Sequence, residues 1–381
     1  MKILHLIDNE KFTNYAIEMA ISSKANIEFK ISHDFLVLGE DTQLISRAYQ
    51  DLVTFIPNFK LYKSYIEKSN VEILVIHCLT VFKCMALYNS MKNFKSVCWS
   101  MWGVDFYSSP YYKQELYGNE TKNIRHKFFK YDVKKILRPL FYYMKYGTTY
   151  KKSFLYVIKH VDFVSPIIPN EFDLIKKIPS FKGEYLAYGN GDIESLSNFI
   201  SPESKNVNNI FIGNSSTYES NHIEVMRKIY KEGLEEGQKI FVPLSYGGNE
   251  KYKLELVKVG KSLFGDKFVP IFDFLKLKEY NHILNSCSYA FFNHKRQQAV
   301  GNILPLLLQG KKVFLSGDNI LYNYFLDIGI KVFNINLPYN SAFLSSTEIK
   351  INREIVLTYF SREKIINNHY LFYKTLVDAS K

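Results

Sequence analysis

The sequence predicts an α/β fold made of two successive domains, each built on a mostly parallel β-sheet. The chain has 381 residues, a length that suits two domains of about 150 to 200 residues each. Short apolar runs alternate with longer mixed segments in both halves, which is the pattern of strands alternating with helices. Between the halves, residues 189–209 are rich in Gly, Asn, Ser and Asp and keep no hydrophobic period, as is typical of a linker.

The N-terminal half contains five apolar runs that we interpret as strands. Because helical segments separate these runs, they predict a parallel sheet that is covered on both faces. The five runs are Lys2 to Ile7, Phe35 to Leu38, Val71 to His77, Ser96 to Met101 and Val161 to Ser165.

The C-terminal half repeats this alternation with six further strands, and His222 to Leu234 and Tyr252 to Phe264 are two of the helical stretches between them. The last segment, Ser361 to Ser380, has an amphipathic helical pattern and could pack back across the domain junction. We therefore expect domains at 1–190 and 209–360, a linker at 191–208 and a helical segment at 361–381. The six strands are Asn209 to Gly213, Lys239 to Pro243, Val269 to Phe272, Ser288 to Phe292, Lys312 to Ser316 and Lys331 to Phe333.

The net charge is +12, and the N-terminal half is basic only between Lys122 and Lys152, where aromatic residues are interleaved with the cations. This mixture is typical of a surface that meets anionic lipid headgroups, so we expect contact with an anionic membrane. Two alternatives are a solvated helix whose aromatic stripe packs on its own domain, and a nucleic-acid surface, although no known nucleic-acid-binding module accompanies it. Besides the single acid Asp132, the segment contains Lys122, Arg125, Lys127, Lys130, Lys134, Lys135, Arg138, Lys145, Lys151 and Lys152.

Several patterns that would indicate other classes of protein are missing from the sequence. No segment approaches the roughly 20 apolar residues that span a bilayer, and the first apolar run is too short for a signal peptide, so we expect a cytoplasmic protein. Neither G-x-G-x-x-G nor a P-loop occurs, which argues against an NAD-dependent enzyme or an NTPase. No Asp-x-Asp pair is present to hold a divalent ion, so we expect neither a metal nor a cofactor. The cysteines, expected to be reduced, are Cys78, Cys84, Cys98 and Cys287.

Three loops of the C-terminal half follow predicted strands and are rich in small polar residues. The first runs from Gly213 to Thr217 and the second contains Tyr246 before two glycines. The third contains Arg296 and precedes a helix that Asn302 or Gln298 could cap and that Gly310 could end. Backbone N–H groups, a guanidinium and amides at the start of a helix favour an anionic ligand. Each loop taken alone is more often ordinary turn structure.

In the N-terminal half, both tryptophans of the protein lie in the stretch from Trp99 to Tyr107, at the end of a predicted strand. Asp105 in this stretch could accept a proton from a sugar hydroxyl, because a carboxylate beside aromatic rings can have a raised pKa. The alternative is that Asp105 caps a helix or makes a buried hydrogen bond. His77, which ends another strand, is a second candidate base or phosphate contact, or a structural residue.

Taken together, these motifs resemble the enterobacterial-type family of 4-acetamido-4,6-dideoxygalactose transferases, which act on a lipid-linked disaccharide. The matches occur in one order along the chain and extend from about residue 77 to residue 371, although around His77 only the histidine itself matches. The basic segment after Asp105 is longer than the family pattern. The matching motifs are W-G-V-D-F-Y at 102–107, G-N-S at 213–215, S-N-H-I at 220–223, V-P-L-S-Y at 242–246, R-Q-Q-A-V-G at 296–301 and N-H-Y-L at 368–371.

The resemblance implies the GT-B architecture of two facing Rossmann-like domains with a cleft between them. It also implies that the C-terminal domain holds a nucleotide sugar and that the N-terminal domain binds the lipid-linked acceptor. Catalytic roles are expected for Asp105, His77 and Arg296, and acceptor contacts for Trp102, Gly103, Asp105 and Tyr107. Donor contacts are expected from Gly213, Asn214, Ser215, Ser216, Tyr246, Asn293, Arg296, Gln297, Gln298, Gly301 and Asn302.

The function that the resemblance implies is transfer of an acetamidodideoxyhexose from a nucleoside diphosphate, such as TDP, to a polyprenyl-diphosphate-linked saccharide. The reaction would belong to bacterial surface polysaccharide assembly. It would take place at the cytoplasmic face of the inner membrane, with the protein bound peripherally through Lys122 to Lys152. We expect no nucleic-acid partner. The alternative is a non-catalytic peripheral-membrane binding protein of the same form.

Overall fold

The computed structural model describes residues 1–10, 13–40, 44–129, 133–189, 191–197 and 208–381, and these form two compact units. The first unit comprises Met1–Lys113, Val133–Gly191 and Arg362–Lys381. The second unit comprises Gln114–Asp132 and Asp192–Ser361.

The first unit contains a seven-stranded sheet in the order β3-β2-β1-β4-β5-β6-β7, and each described pairing is parallel. Every residue from Ile3 to Ile7 of the first strand is buried, as expected for a parallel sheet that is covered on both faces. The strands are β1 (Lys2–Ile7), β2 (Ser32–Leu38), β3 (Val53–Ile56), β4 (Ile73–His77), β5 (Ser96–Ser100), β6 (Phe163–Ser165) and β7 (Glu184–Tyr185).

The second unit contains a six-stranded parallel sheet in the order β10-β9-β8-β11-β12-β13. The order of the strands is therefore 3-2-1-4-5-6 within this unit, and the first six strands of the first unit follow the same order. This is the Rossmann arrangement, in which strand order reverses beside the first strand. The strands are β8 (Asn209–Ile212), β9 (Ile240–Pro243), β10 (Phe268–Ile271), β11 (Cys287–Phe292), β12 (Lys312–Leu315) and β13 (Phe333–Asn334).

Helices connect the strands of both sheets, and short 3₁₀ turns complete the connections. The helices of the first unit are α1 (Thr13–Ile21), α2 (Ala25–Glu28), α3 (Phe59–Lys68), α4 (Val81–Leu87), α5 (Val104–Tyr107), α7 (Val133–Tyr146), α8 (Tyr150–Lys159), α9 (Phe172–Ile175) and α17 (Arg362–Ser380). Those of the second unit are α6 (Asn119–Phe129), α10 (Ile193–Ser197), α11 (His222–Glu232), α12 (Glu250–Phe264), α13 (Leu277–Asn285), α14 (Val300–Leu308), α15 (Ile320–Asp327) and α16 (Ser346–Phe360). The 3₁₀ turns are Arg47–Leu52, Met91–Asn93, Pro169–Glu171, Tyr218–Ser220, Gly265–Lys267 and Tyr339–Ser341.

The predicted α/β class with parallel sheets is confirmed, and all eleven predicted strands are present with ends that differ by a few residues. The prediction missed β3 and β7, which have four and two residues. Most of the predicted linker at 191–208, namely 198–207, lies outside the described residues. Helix α10 lies near the start of this predicted linker.

Two segments group differently from the predicted domain limits. Residues 114–132, which the sequence placed in the N-terminal domain, belong to the second compact unit, and α17 belongs to the first. Helix α17 completes the core of the first unit, because Phe372, Tyr373 and Leu376 are buried against residues of β1, β2 and β4. The apolar face of α17 thus packs in the core of the first unit.

Two further observations on the described part of the chain concern membrane-spanning helices and the cysteines. No helix there combines the length and the apolar character needed to cross a bilayer. All four cysteines are buried and free. Burial raises the pKa of the Cys98 thiol and of the Cys287 thiol to about 12, which keeps both protonated near neutral pH.

Candidate functional site

In the second unit, three loops emerge at the carboxyl ends of adjacent strands. Loop A (213–217) follows β8, loop B (244–249) follows β9 and loop C (293–299) follows β11. Strand β8 lies between β9 and β11, so loops A and C flank the point at which strand order reverses. Ligands of open α/β sheets bind in the crevice at such a point.

Side-chain hydrogen bonds connect the three loops. The Asn214 amide of loop A donates to the Tyr246 hydroxyl of loop B over 3.0 Å, and the Gln298 amide of loop C donates to the Asn214 Oδ1 atom over 3.1 Å. Tyr246 remains 42% exposed, so its ring is available to a ligand. The structure therefore brings Asn214, Tyr246 and Gln298 together, while their role in donor binding stays a prediction.

Loops A and B also approach each other through their backbones. The N–H and the hydroxyl of Ser216 both donate to the Tyr246 carbonyl, each over 3.0 Å. Gly248 has a φ of +72°, and a Cβ atom there would lie 1.9 Å from the Ser216 carbonyl oxygen, so only glycine fits. The neighbouring Ser215 hydroxyl is buried and contacts the Thr217 hydroxyl at 3.1 Å. Ser215 thus makes a contact within loop A, and Ser216 connects loop A to loop B.

Arg296 of loop C is engaged by an acid that the sequence did not identify. Its Nη2 and Nε atoms lie 2.6 and 2.8 Å from Glu219 Oε2, and its Nη1 atom donates to the Gln297 carbonyl over 3.0 Å. Both Arg296 and Gln297 are buried. The ion pair offsets part of the Arg296 charge, so the predicted role of Arg296 at a diphosphate has to include Glu219.

Asn221, from the S-N-H-I motif, joins loop C to residues 116–118. It has a left-handed φ of +49°, and its Oδ1 atom accepts from the Gly118 N–H over 2.7 Å. Its amide donates to the carbonyls of Leu116 and Asn293 over 3.0 and 2.9 Å. Asn293, which was predicted to contact the donor sugar nucleotide, is therefore held through its backbone carbonyl. This role of Asn221 could not be predicted because Gly118, Leu116 and Asn293 are 72 to 105 residues away in sequence.

The other two polar residues of this motif lie under loop A. The Ser220 hydroxyl donates to the Ser215 carbonyl over 3.3 Å and contacts His294 Nε2 at 3.2 Å. A Cβ atom at Gly213, whose φ is +71°, would lie 2.6 Å from His222 Nε2. Ser220 and His222 thus pack against loop A. The lack of a side chain at Gly213 allows His222 to approach closely.

Helix α14 begins directly after loop C. The prediction that Asn302 or Gln298 caps this helix is wrong: Ala299, with a φ of +66°, occupies the N-cap position and no side chain caps it. Gln298 instead bonds to loop A, and the Asn302 amide donates to the Tyr280 hydroxyl over 2.9 Å. Gly301 is exposed in the first turn, so the start of α14 is open to an anion.

In the first unit, the W-G-V-D motif forms a tightly bonded turn after β5. The Asp105 Oδ2 atom accepts from the Leu79 N–H and the Trp99 indole over 2.8 and 2.7 Å, and Oδ1 accepts from the Trp102 N–H over 3.1 Å. Gly103 has a φ of +87° and starts α5. Burial raises the pKa of Asp105, but its three N–H donors favour the carboxylate. These contacts match the structural interpretation of Asp105, and its role as a base stays a prediction.

The remaining predicted residues of the first unit are largely enclosed. The buried Tyr107 hydroxyl donates to Glu171 over 2.9 Å, whereas Trp102 is half-buried. His77 ends β4 and is fully buried. Next to it, the ammonium group of Lys83 donates to the carbonyl of His77 over 2.5 Å and to Asp8 over 2.6 Å. The sequence did not identify this ion pair, although Asp8 directly follows the first apolar run.

The basic segment divides between the two units. Residues Lys122, Arg125 and Lys127 belong to the second unit and Arg138 and Lys145 to the first. Lys151 and Lys152 also lie in the first unit, on α8. Lys130 and Asp132, together with the side chains of Lys134 and Lys135, lie outside the described residues.

Helix α7 of this segment has an exposed apolar stripe. Its Tyr146 packs against Phe59 with 4.5 Å between the ring centroids. The residues of this stripe lie at helical intervals. They are Leu137, Leu140, Phe141 and Met144, which are 54%, 58%, 51% and 74% exposed. The aromatic residues therefore do not all pack on their own unit.

Among the described residues, no group of three or more His, Cys, Asp or Glu side chains is arranged to hold a metal ion. The expectation that the protein works without metal stays a prediction.

Comparison with solved structures identifies the fold. The chain is similar over its whole length to sucrose-phosphate synthase from Thermosynechococcus elongatus, with 10% identity, a TM-score of 0.62 and 100% coverage of both chains. It is also similar to a UDP-forming α,α-trehalose-phosphate synthase from Burkholderia vietnamiensis, with 8% identity, a TM-score of 0.61 and coverage of 99% and 100%. A glycosyltransferase from Rickettsia africae matches with 10% identity, a TM-score of 0.61 and coverage of 99% and 98%. At these identities the similarity establishes the GT-B fold, as predicted.

The family follows from the sequence of residues 176–366, most of which lie in the second unit. The model of a family described as 4-alpha-L-fucosyltransferase, glycosyl transferase group 56, matches residues 176–366, which is just over half of the 381 residues. The chain therefore belongs to this glycosyltransferase family. Loops A, B and C and the S-N-H-I motif all lie within the matched residues, so the shared sequence coincides with the candidate donor site.

Proposed function

We propose that this glycosyltransferase moves a 6-deoxyhexose of the 4-acetamido-4,6-dideoxygalactose type from a TDP-linked donor to a polyprenyl-diphosphate-linked saccharide during bacterial surface polysaccharide assembly. The observation that carries the proposal is the bonded cluster of Asn214, Tyr246 and Gln298 at the point of strand reversal in the second unit. Family membership supports sugar transfer from a nucleotide. The motif resemblance supports the particular sugar and acceptor.

The family description and the predicted sugar share a chemical feature. The description names a fucosyl group, and fucose is itself a 6-deoxyhexose of galacto configuration. A donor site of this family is therefore expected to accommodate a methyl group at C5 in place of a hydroxymethyl group. The acetamido group at C4 distinguishes our proposal from fucose.

We assign the donor diphosphate to the start of α14. The exposed Gly301 and the uncapped first turn offer N–H groups to an anion. Arg296, with Glu219 as its partner, holds loop C and adds positive charge at the leaving diphosphate. Tyr246 lines the nucleotide site through its exposed ring.

We assign membrane attachment to α7. The stripe of Leu137, Leu140, Phe141 and Met144 is exposed, and Arg138 and Lys145 lie on the same helix. Apolar side chains flanked by cations suit the interface of an anionic bilayer. This supports peripheral binding at the cytoplasmic face of the inner membrane, where a polyprenyl-linked acceptor is available.

The proposal is tested by a transfer assay with a synthetic short-chain prenyl-diphosphate disaccharide as acceptor. The expected product from TDP-4-acetamido-4,6-dideoxygalactose is heavier than the acceptor by one acetamidodideoxyhexosyl residue, as measured by mass spectrometry. GDP-fucose and UDP-N-acetylglucosamine are the comparison donors. Transfer from one of these donors alone would overturn the proposed sugar, and transfer from none would count against the proposed reaction.

A further inference from the structure

The second unit includes a segment that the family match does not cover. Residues 114–132 belong to this unit, although they lie between β5 and β6 of the first unit in sequence and outside the matched residues 176–366. Helix α6 of this segment packs against α11 and α12, and its Ile124 packs against the core of the second unit. The unit that carries the candidate donor site is therefore completed by a part of the chain that sequence reasoning assigned to the other domain.

Buried hydrogen bonds fix this segment beside loop C. The N–H and the hydroxyl of Thr121 both donate to the carboxylate of Glu224 on α11, over 2.9 and 2.8 Å. The Gly118 N–H donates to Asn221, whose amide also donates to the Asn293 carbonyl of loop C. Thr121 and Asn221 are fully buried. Because these bonds are shielded from water, they set the position of the first turn of α6 relative to loop C.

A stack of side chains extends from α6 to α12 at this point. The guanidinium carbon of Arg125 lies 4.8 Å from the centre of the Tyr117 ring. The Tyr117 ring contacts the Tyr218 ring edge-to-face at 6.4 Å, and Tyr218 stacks on Tyr252 of α12 at 4.1 Å. A guanidinium is attracted to the face of an aromatic ring. The stack therefore orients the Arg125 guanidinium.

Arg125 lies close to the Arg296–Glu219 ion pair. Glu219 directly follows Tyr218 of the stack in sequence. Burial and the nearby Glu219 carboxylate raise the pKa of Tyr117. The guanidinium groups of Arg125 and Arg296 oppose this rise, so both groups are near the Tyr117 hydroxyl. The two arginines thus occupy the same part of the second unit.

The charge of Arg125 differs from its neighbours in having no acidic partner. Arg296 is paired with Glu219, and Lys122 lies 3.2 Å from Glu115. Arg125 forms neither an ion pair nor a hydrogen bond with any of the residues that the structure describes, and it is half-buried, so it stays partly accessible. The planar fork of N–H donors on a guanidinium matches the oxygens of a phosphate group. Arg125 is therefore suited to an anionic ligand.

An anionic lipid headgroup would offer the same charge, because Arg125 belongs to the basic segment of 122–152. Helices that bind at a membrane surface combine cations with exposed apolar side chains. Helix α7 of the first unit has such side chains, whereas the described side chains of α6 include no large apolar one that is exposed. Arg125 also belongs to the unit that contains loops A, B and C. These observations favour a nucleotide over a bilayer.

We propose that Arg125 binds the diphosphate of the donor as a second guanidinium beside Arg296. Tyr117 and Asn221 are positioning residues: Tyr117 orients the Arg125 guanidinium, and Asn221 holds residues 116–118 against loop C. The basic segment then has two roles, with α6 serving the donor and α7 the membrane. This inference rests on the proposed function, which supplies the donor diphosphate.

Diphosphate binding is tested by calorimetric titration of TDP and of inorganic pyrophosphate into the full-length protein. Arg125→Gln should weaken the binding of both ligands at least about ten-fold, because hydrogen bonds to charged groups are lost. Arg125→Lys, which keeps the charge without the planar fork, should retain part of the affinity. Arg227→Gln is the matched control, since Arg227 is exposed on α11 and lies 3.5 Å from Glu120. Unchanged binding in Arg125→Gln, or a loss with TDP alone, would overturn the proposal.

The positioning role of Tyr117 is tested by a pair of variants. Tyr117→Phe keeps the ring under the Arg125 guanidinium and should bind TDP as the unsubstituted protein does. Tyr117→Leu removes the ring and should bind TDP several-fold more weakly, since the cation–π contact is lost. Urea unfolding checks that both variants are folded. Equal TDP affinity in the two variants would remove Tyr117 from this role.

Two further measurements distinguish the source of the anion. In steady-state transfer assays, Arg125→Gln should raise the donor KM and leave the KM of the prenyl-diphosphate acceptor constant. The reverse pattern would assign Arg125 to the diphosphate of the acceptor. Weaker co-sedimentation with anionic vesicles, at unchanged TDP affinity, would assign it to the membrane, and either result would overturn the proposal. Absence of TDP binding to the unsubstituted protein would instead contradict the proposed function, and the pyrophosphate titration would still decide whether Arg125 binds a diphosphate.

Discussion

The two units have the same strand order, yet the residues at their points of strand reversal differ in kind. In the second unit, loops A and C are built from Gly, Asn and Ser, and the Tyr246 ring beside them is exposed. In the first unit, Asp8 follows β1 and forms an ion pair with Lys83 of α4, and the buried His77 ends β4. The backbone topology places both sets of residues at the same kind of crevice.

The two units therefore differ in loop composition and not in the order of their first six strands. Small residues such as Gly213 and Gly248 let backbone groups approach each other and a ligand closely. Imidazole and carboxylate side chains instead fix specific donors and acceptors. Small polar loops that offer backbone N–H groups suit a diphosphate, whereas the side chains at the reversal point of the first unit are mostly buried. Substitutions in the loops of the second unit should therefore affect the donor, and those in the first unit should affect the acceptor.

The largest effect is expected at Arg296. Arg296→Ala should lower turnover by about 10²- to 10³-fold, because a charge that stabilises the leaving diphosphate is removed. Glu219→Gln is the matched control, since it removes the negative partner and keeps an oxygen that accepts from Arg296. Steady-state kinetics should show turnover of Glu219→Gln within about ten-fold of the unsubstituted protein. Equal large losses in both variants would mean that the ion pair acts only in holding loop C.

Asp105 tests whether the first unit uses this carboxylate for structure or for chemistry. Asp105→Asn should destabilise the protein by about 1 to 3 kcal/mol, because an amide cannot accept from all three N–H donors of Leu79, Trp99 and Trp102. Urea unfolding measures this change. If stability is unchanged while transfer is lost and donor still binds, the carboxylate acts as the base predicted from sequence.

Acid should destabilise the first unit more than the second. Burial lowers the pKa of His77 and of His222 to about 3, and of His33 and His369 to about 4. The pKa values of His5 and His294 are also lowered by burial. In the unfolded chain, histidines bind protons below about pH 6.5, whereas these six stay neutral when folded.

Stability is therefore expected to fall as the pH drops from about 6.5 toward 4, by up to about 1.4 kcal/mol per pH unit for each histidine. Four of these histidines, His5, His33, His77 and His369, belong to the first unit. Hydrogen exchange at pH 5 and pH 7.5 should show the larger loss of protection in β1, β2 and β4. Equal losses in both sheets would contradict this difference between the units.

The smallest effect is expected on membrane binding. Replacing Leu140 and Met144 of α7 by Ser should weaken binding to anionic vesicles several-fold, because less apolar surface enters the interface. Leu254→Ser is the matched control, since Leu254 is 68% exposed on α12 of the second unit. Vesicle co-sedimentation measures the change. Equal binding of all variants would remove α7 from the membrane contact.

The sequence was sufficient for the parts of the fold that depend on local pattern. Strand β1 has the predicted ends because four of its five consecutive buried residues are apolar and stand out in the sequence. Strand β7 has only two residues, both exposed, and therefore carries no such signal. The membership of 114–132 in the second unit depends on long-range bonds such as that from the Thr121 hydroxyl to Glu224, which no local pattern reveals.

The candidate site was predictable to a smaller extent. The residues of loops A, B and C could be identified because each loop follows a strand and contains small polar residues. Their partners could not, since Glu219 is 77 residues from Arg296, and His5, whose Nδ1 atom lies 3.0 Å from His77 Nε2, is 72 residues from His77. Those contacts depend on strand register, and a shift of one residue would turn the ring to the other face.

Loops A, B and C are proposed to bind the nucleoside diphosphate. Calorimetric titration of TDP into the unsubstituted protein, Gly248→Ala and Gly237→Ala tests it most directly. Both glycines have a φ of +72°, but a Cβ atom at Gly237 would have open space, whereas one at Gly248 would lie 1.9 Å from the Ser216 carbonyl. We predict that TDP binds the unsubstituted protein and Gly237→Ala equally and binds Gly248→Ala at least ten-fold more weakly. Absence of TDP binding to the unsubstituted protein, or equal binding to all three, would contradict the claim.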